Sequence, residues 1–242
     1  VSTAEFVARK SGVVAGIQIA CDVLKEVGLD EISQLVVDGA QVNAGQVIIS
    51  VTGNTRKILL AERTALNFLT HLSGIATTTN AWVWAIAGTN CQIRDTRKTI
   101  PGWRDLEKFA VKLGGGVNHR MGLSEAILIK DNHIAAAGSV TKALELVKNS
   151  GLEIEIEVDS VEQLQEALLQ KPDLILLDNF TPAQCKEAVA IVKGSVKLEA
   201  SGGISIDNAL AYAQTGVDYL AIGALTHSAP ALDIGLDFME GN

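Results

Sequence analysis

Residues 153–178 read EIEIEVDSVEQLQEALLQKPDLILLD. Glu153, Glu155 and Glu157 alternate with Ile154, Ile156 and Val158, so in a strand the three glutamates share one face. A polar lumen near the mouth of a barrel suits that face better than a packed core. Ser160 is a helix N-cap candidate, Val161, Leu164 and Leu168 recur at helical spacing, and Pro172 stops the run. The apolar segment Leu174–Leu177 then ends on Asp178. Strand, capped helix, strand is the repeating unit of a parallel sheet with helices on its faces.

The same unit extends in both directions. Upstream, Ala126–Ile129 ends at Lys130; downstream, Val196–Ala200 ends at Ser201 and Tyr219–Ile222 ends at Gly223. The marks Glu157, Asp178, Ser201 and Gly223 are 21, 23 and 22 residues apart. Ser139, Thr181 and Ser205 are further N-cap candidates, and Pro182 stands at a first helical position. Gly151, Gly194 and Gly216 mark helix ends. The pattern alone allows a closed barrel or an open doubly wound sheet. Both place ligands at the C-terminal ends of the strands, where Lys130, Glu157, Asp178, Ser201 and Gly223 stand.

The first 73 residues have another rhythm. Val36–Gly53 predicts two or three short strands with Asp-Gly and Asn-Ala-Gly turns, and Ala61–Leu72 predicts a helix. This is a smaller α+β domain. No lysine sits at a hairpin tip there, which excludes a lipoyl-type carrier.

The chain has 242 residues, 48% hydrophobic and 20% charged, so a large core is expected and disorder is not. No run approaches the ~20 apolar residues that span a bilayer. No basic-then-apolar leader opens the chain, and the expected location is the cytoplasm. The three cysteines are far apart, which argues against disulfides or zinc and for small buried hydrophobes. A net charge of −8 argues against nucleic acid as a partner. The charge is uneven: Arg94 to Lys130 carries eight Lys/Arg and four Asp/Glu, a net +4, against −12 elsewhere. Arg104, Lys108 and Lys112 read as a solvated helix face, with Leu106, Phe109, Ala110 and Leu113 as its apolar side. Arg97, Lys98, Arg120 and Lys130 sit instead beside glycines or at strand ends.

Those cations suit an anion. Adjacent Arg97 and Lys98 offer a planar fork and a point charge. Gly114-Gly-Gly lets the backbone turn sharply ahead of His119 and Arg120. Lys130 follows an apolar strand, and buried there it needs an anion to stay charged. His133 reads as a structural hydrogen-bond partner, as do His71 and His227. Glu157 and Asp178 could act as an acid/base pair or hold Mg²⁺, and oxygen ligands with a phosphate substrate favour the metal. Ser201-Gly202-Gly203 and Ile222-Gly223-Ala224 have the form of a late-barrel phosphate cradle.

Eight segments occur together and in order: Ala61-Glu-Arg-Thr-Ala-Leu-Asn67, Leu72-Ser-Gly-Ile-Ala-Thr77, Asp95-Thr-Arg-Lys-Thr99, Gly114-Gly-Gly-Val-Asn-His-Arg120, Leu128-Ile-Lys-Asp-Asn-His133, Leu177-Asp-Asn179, Ser201-Gly-Gly203 and Gly223-Ala-Leu-Thr-His-Ser228. From about Ser11 onward the chain resembles the quinolinate phosphoribosyltransferases. The resemblance implies an α/β protein: an open TIM-like barrel of about seven strands with a smaller N-terminal α+β domain. Residues 1–73 would form the small domain, 74–228 the barrel, and 229–242 a segment packing back on the small domain. Family members carry further residues ahead of the position of Val1. The implied reaction joins quinolinate to phosphoribosyl pyrophosphate (PRPP) with Mg²⁺, giving nicotinate mononucleotide, pyrophosphate and CO₂ for NAD synthesis.

The resemblance also assigns roles. Thr96, Arg97, Lys98, His119, Arg120 and Lys130 would surround the quinolinate carboxylates. Arg63 would reach the site of a neighbouring subunit in a homodimer or larger homo-oligomer. Glu157 and Asp178 would hold the ribose hydroxyls and Mg²⁺–pyrophosphate, with Lys130 completing the catalytic set. Ser201, Gly202, Gly203, Ile222, Gly223 and Ala224 would cradle the 5′-phosphate. Two rivals are a related molybdenum-transport-associated phosphoribosyltransferase-like enzyme and a non-catalytic phosphate-binding barrel. Lys130 in its Leu-Ile-Lys-Asp-Asn-His setting argues against the first, and the full set of charged residues against the second.

Overall fold

The structure, a computed structural model, describes residues 1–239. The last three residues of the predicted 229–242 segment lie outside them. Its elements run β1 (Ser2–Ala8), β2 (Gly12–Val13), α1 (Ile17–Glu26), β3 (Glu31–Gln34), β4 (Gln41–Val42), β5 (Val47–Gly53), α2 (Thr55–Ala85), β6 (Gln92–Arg94) and α3 (Arg104–Leu113). The chain then alternates: β7 (Ala126–Ile129), α4 (Asp131–Ala137), α5 (Val140–Val147), β8 (Glu153–Val158), α6 (Val161–Gln170), β9 (Leu174–Asp178), α7 (Pro182–Val192), β10 (Lys197–Ser201), α8 (Ile206–Ala213), β11 (Tyr219–Ala221), α9 (Ala224–His227) and β12 (Ile234–Phe238). Two compact units emerge among the described residues: 1–81, 99–116 and the chain from 224 onward in one, 82–98 and 117–223 in the other.

The first unit holds a four-stranded antiparallel sheet in the order β12-β1-β5-β3. Its core includes Phe6, Ile48, Ile49 and Val51 from the sheet, Leu24 from α1, and Ile58, Ala65 and Leu69 from α2. α2 is much longer than the predicted Ala61–Leu72. Ser73, Gly74, Thr77 and Thr79 weaken the helical signal in its middle, yet tertiary contacts engage them. Ser73 Oγ accepts the Ala15 amide and Thr77 Oγ1 accepts the Val13 amide, both at 2.9 Å. A Cβ on Gly74 would lie 2.1 Å from the Pro230 carbonyl oxygen, so only glycine lets the two backbones approach this closely.

α3 is rotated relative to its apolar pattern. Lys108 is fully buried with Glu107, Ala110 and Val111, whereas Phe109 is exposed. The solvated face predicted from Arg104, Lys108 and Lys112 therefore does not hold at Lys108. Glu107 explains the rotation: it sits 2.9 Å from His71 Nε2, and its other oxygen accepts the Ile100 amide at 3.1 Å. A buried carboxylate that needs partners outweighs one exposed phenyl ring.

The second unit is the parallel sheet, ordered β6-β11-β10-β9-β8-β7. Val117 adds an isolated parallel bridge to Arg94 on the outer side of β6, a seventh position. The sheet curls on itself. Glu155 on β8 lies five positions from the Val117 bridge, about 24 Å away in a flat sheet. Yet His119, two residues past that bridge, brings its Nε2 to 2.9 Å from Glu155 Oε2. Among the described residues no pairing joins β7 to the Val117 segment, so the barrel stays open there.

The predicted punctuation of this unit holds. Ser139, Ser160, Thr181 and Ser205 are the N-caps of α5 to α8. α6 and α7 end on left-handed lysines, Lys171 and Lys193, just before Pro172 and Gly194. Cys21, Cys91 and Cys185 are buried free thiols.

Candidate active site

Strand periodicity of two stacks the lumen in layers. Lys130, Glu157, Asp178 and Ser201 stand at the C-terminal rim. Leu128, Glu155, Leu176 and Glu199 lie below them, with Arg94 reaching down to Glu199. The register pairs Ser201 with Asp178 and Glu199 with Leu176, but is staggered at β8, where Glu157 pairs with Leu176, and at β6, where Arg94 is level with Ala221 and Ser201. The rim encloses a cavity of about 640 Å³. Its wall holds Thr96, Arg97, Lys98, His119, Arg120 and Lys130 on the cationic side, and Glu157, Asp178, Asn179, Ser201 and Gly202 on the other. Leu128, Leu176, Glu199 and Ala221 complete it.

The cationic side has the chemistry to suit an anion. Burial lowers the Arg120 guanidinium pKa, and the nearby charge of Arg97 lowers it further. Arg97 Nε is buried with no hydrogen-bond partner, and Arg120 Nη1 donates to the Ala126 carbonyl at 2.7 Å. Two guanidiniums that repel each other in a partly dry wall are both relieved by a carboxylate or phosphate between them. Asp95, fully buried, joins the two segments that carry them. Its Oδ1 accepts the His119 amide at 2.8 Å and its own amide donates to the Val117 carbonyl at 3.1 Å.

Lys130 corrects one expectation. It is not buried: about half of its side chain meets solvent, and Nζ lies 2.7 Å from Glu157 Oε2. It stands one residue past the end of β7, as the N-cap of α4, so its stem rises out of the core. His133 has the expected structural role, its Nδ1 accepting the Lys130 amide at 2.9 Å.

On the acidic side, burial raises the Asp178 carboxyl and the charge of Glu157 raises it further; Lys130 and Lys98 oppose both. Asn179 follows in the left-handed region at φ 58°. It donates from Nδ2 to Asp178 Oδ2 at 2.7 Å and from its amide to the Ser201 carbonyl at 2.8 Å. Gly202 is required beside it. Its φ is +87°, and a Cβ there would lie 2.2 Å from Asn179 Oδ1.

The residues expected to cradle a phosphate do not all meet the cavity. Ser201 and Gly202 line the cavity; Gly203, Ile222, Gly223 and Ala224 do not. The Ile222 amide donates to the Arg94 carbonyl at 2.9 Å, extending the β11–β6 ladder, so it has no proton to offer a phosphate. Arg63 and Ala224 belong to the other compact unit, where Arg63 is exposed on α2.

Sequence reading singled out neither Asn179 nor Glu199 as a site residue. The signal for Glu199 is in Lys197-Leu-Glu-Ala-Ser201, where period-two alternation puts it on the face of Ser201. Glu199 Oε2 lies 2.7 Å from Arg94 Nη1, and burial with the charge of Glu155 pushes its carboxyl up to about 7. Among the described residues one group of three has donor atoms close enough for a metal ion: His119, Glu155 and Glu199, within 4.8 Å of one another.

Known proteins resemble this chain along its length. The family model for the quinolinate phosphoribosyl transferase N-terminal domain matches residues 1–73, and that for the C-terminal domain matches residues 75–237. A carboxylating nicotinate-nucleotide pyrophosphorylase from Mycobacterium leprae is 54% identical, over 98% of this chain and 86% of that protein. A probable one from Bacillus subtilis is 41% identical, over 99% of this chain and 84% of that protein. The solved nicotinate-nucleotide pyrophosphorylase of Francisella tularensis superposes with a TM-score of 0.95 at 41% identity, over 98% of this chain and 86% of that one. With both halves matched and the cationic and acidic walls in place, the chain belongs to the quinolinate phosphoribosyl transferase family.

Proposed function

We propose that this protein transfers the phosphoribosyl group of PRPP to quinolinate with loss of CO₂, forming nicotinate mononucleotide and pyrophosphate. The observation that carries the reading is the division of one cavity into two chemistries. Arg97 and Arg120 crowd one wall, with Lys98 beside them. Glu157, Asp178 and the Ser201-Gly202 turn form the other. A pyridine with adjacent carboxylates satisfies the first wall. A ribose with its hydroxyls and 5′-phosphate satisfies the second.

The chemistry needs positioning and charge neutralisation rather than a covalent nucleophile. The pyridine nitrogen attacks the ribose C1′ as the bond to pyrophosphate breaks. Glu157 and Asp178 stabilise the positive charge developing on the sugar and hold its hydroxyls. Lys130, paired with Glu157, stands at the rim where the two substrates meet. As the adjacent carboxylate leaves as CO₂, the electron pair of the broken bond stays on the ring carbon beside the positively charged nitrogen, and a proton takes the place of the carboxylate there.

Mg²⁺ fits this site. Two carboxylates whose charges already repel suit a hard cation that keeps waters and substrate oxygens as its other ligands. Glu157 and Asp178 would hold it, and it would neutralise the pyrophosphate. The reading includes a homodimer or larger homo-oligomer in which Arg63 completes a neighbour's clamp, and a cytoplasmic location. Among the described residues no helix is long and apolar enough to cross a membrane.

Titration calorimetry with quinolinate and nicotinate tests the clamp. Losing one charge-assisted contact of about 1.5–3 kcal/mol should weaken nicotinate roughly ten- to over a hundredfold relative to quinolinate. Equal affinities contradict a dicarboxylate site.

A further inference from the structure

Beneath the rim lies a layer, reached through His119 of the cavity wall, whose carboxylates have no part in the steps above. Arg94, His119, Glu155 and Glu199 meet there, the last three no more than 6% exposed. His119 Nε2 is 2.9 Å from Glu155 Oε2 and 3.8 Å from Glu199 Oε1. Two buried carboxylates facing an imidazole could hold a divalent cation, but the histidine tautomer argues otherwise. His119 Nδ1 accepts the Arg120 amide at 2.8 Å, so Nδ1 carries a lone pair and the ring proton sits on Nε2. A protonated nitrogen cannot ligate a metal, and an imidazole fixed in this form is neutral.

The charge of the layer then decides the matter. With His119 neutral, Arg94 is the cation in contact with Glu199, while the charges of Arg94, Arg120 and Lys130 all bear on Glu155. An uncompensated carboxylate in a dry layer is costly, and the layer lowers that cost by keeping one proton. Glu199 is the better holder. Burial raises both carboxyls to about 7 and leaves each with one oxygen lacking a hydrogen-bond partner, but Glu199 is the more deeply buried, and Glu155 has the added charges of Arg120 and Lys130 to keep it ionised. Arg94 occupies Oε2, and the neighbouring strands place Leu176 and Tyr219 on either side. Glu199 also forms part of the floor of the cavity.

We propose that Glu199, carried as the neutral acid, protonates the ring carbon from which CO₂ departs. This deepens the function proposed above and rests on it. When the carbon–carboxylate bond breaks, its electron pair stays on the ring carbon of the pyridinium. A new C–H bond forms there with the Glu199 proton, and Glu199 becomes a carboxylate facing Arg94. Water returns the proton after the product leaves. The burial and the Glu155 charge that push the Glu199 carboxyl up to about 7 keep it protonated into the neutral range.

Glu199→Gln tests this, because glutamine keeps the shape and a carbonyl for Arg94 but has no acidic proton to give. Wild-type kcat should fall as pH rises through about 7, since the acid form is the active one, and the variant should lack that limb. Its kcat should drop on the order of a hundredfold or more while quinolinate affinity by calorimetry stays within about threefold. A variant with wild-type kcat and an unchanged pH profile overturns the proposal. So does a variant that loses affinity and kcat together, which is the mark of a purely structural carboxyl. If the variant does not fold, the wild-type profile decides: a kcat that is flat from about pH 6 to 9 overturns the proposal. A wild-type protein that releases no CO₂ from quinolinate and PRPP defeats the underlying reading instead, so the two failures are separable.

Discussion

Replacing Lys130 or Arg120 by alanine is expected to abolish measurable quinolinate binding while leaving the fold intact. Arg120 is partly buried against Arg97, and an anion between them is the natural partner of both. Removing one member of such a charge pair costs about 2–5 kcal/mol, roughly thirtyfold to several thousandfold in affinity. Lys130 adds a second effect. Without its ammonium 2.7 Å away, Glu157 faces Asp178 with less compensation, and the acidic rim repels the incoming dicarboxylate. Both side chains lie at the cavity wall rather than in the core, so circular dichroism and thermal melting should change little. Wild-type quinolinate affinity in either variant, measured by calorimetry, counts against the clamp.

The second large effect concerns Arg63. It lies exposed on α2, outside the cavity lining, yet the proposed function gives it a place in a neighbour's site. Arg63→Ala should inactivate the enzyme, as should Arg97→Ala. Mixing the two inactive proteins under conditions that exchange subunits should restore part of the activity. Hybrid assemblies then contain some sites with a native arginine at both positions. Activity that stays absent after demonstrated exchange excludes a shared site.

Much of the barrel is legible from the chain because its signals are local. Glu153 to Val158 alternates, Leu174 to Leu177 is apolar throughout, and serine or threonine caps the following helices. The strand ends at Asp178 and Ser201 fall where the pattern puts them. What escaped the sequence depends on distant partners. The pairing of β1 with β12 joins segments about as far apart as the chain allows. The rotation of α3 follows from Glu107 meeting His71, and the length of α2 from hydroxyls that bind a backbone far upstream. Lys130 was misread for a related reason: an apolar strand predicts burial of the strand, not of the residue that follows it.

The site shows the same division. Arg97, His119, Arg120, Glu157 and Asp178 converge on one cavity as their motifs implied. Ile222 did not follow, because its amide completes a strand ladder. Glu199 was missed, although Lys197-Leu-Glu-Ala-Ser201 has the alternation that revealed Glu155 on the neighbouring face.

One assay bears most directly on the proposed function. Purified protein is incubated with Mg²⁺, PRPP and quinolinate labelled in the carboxylate adjacent to the ring nitrogen, and the gas and nucleotide products are followed. Release of labelled CO₂ in step with nicotinate mononucleotide and pyrophosphate, dependent on both substrates, is the predicted result. No CO₂ release by a folded protein, or equal turnover with nicotinate in place of quinolinate, would contradict it.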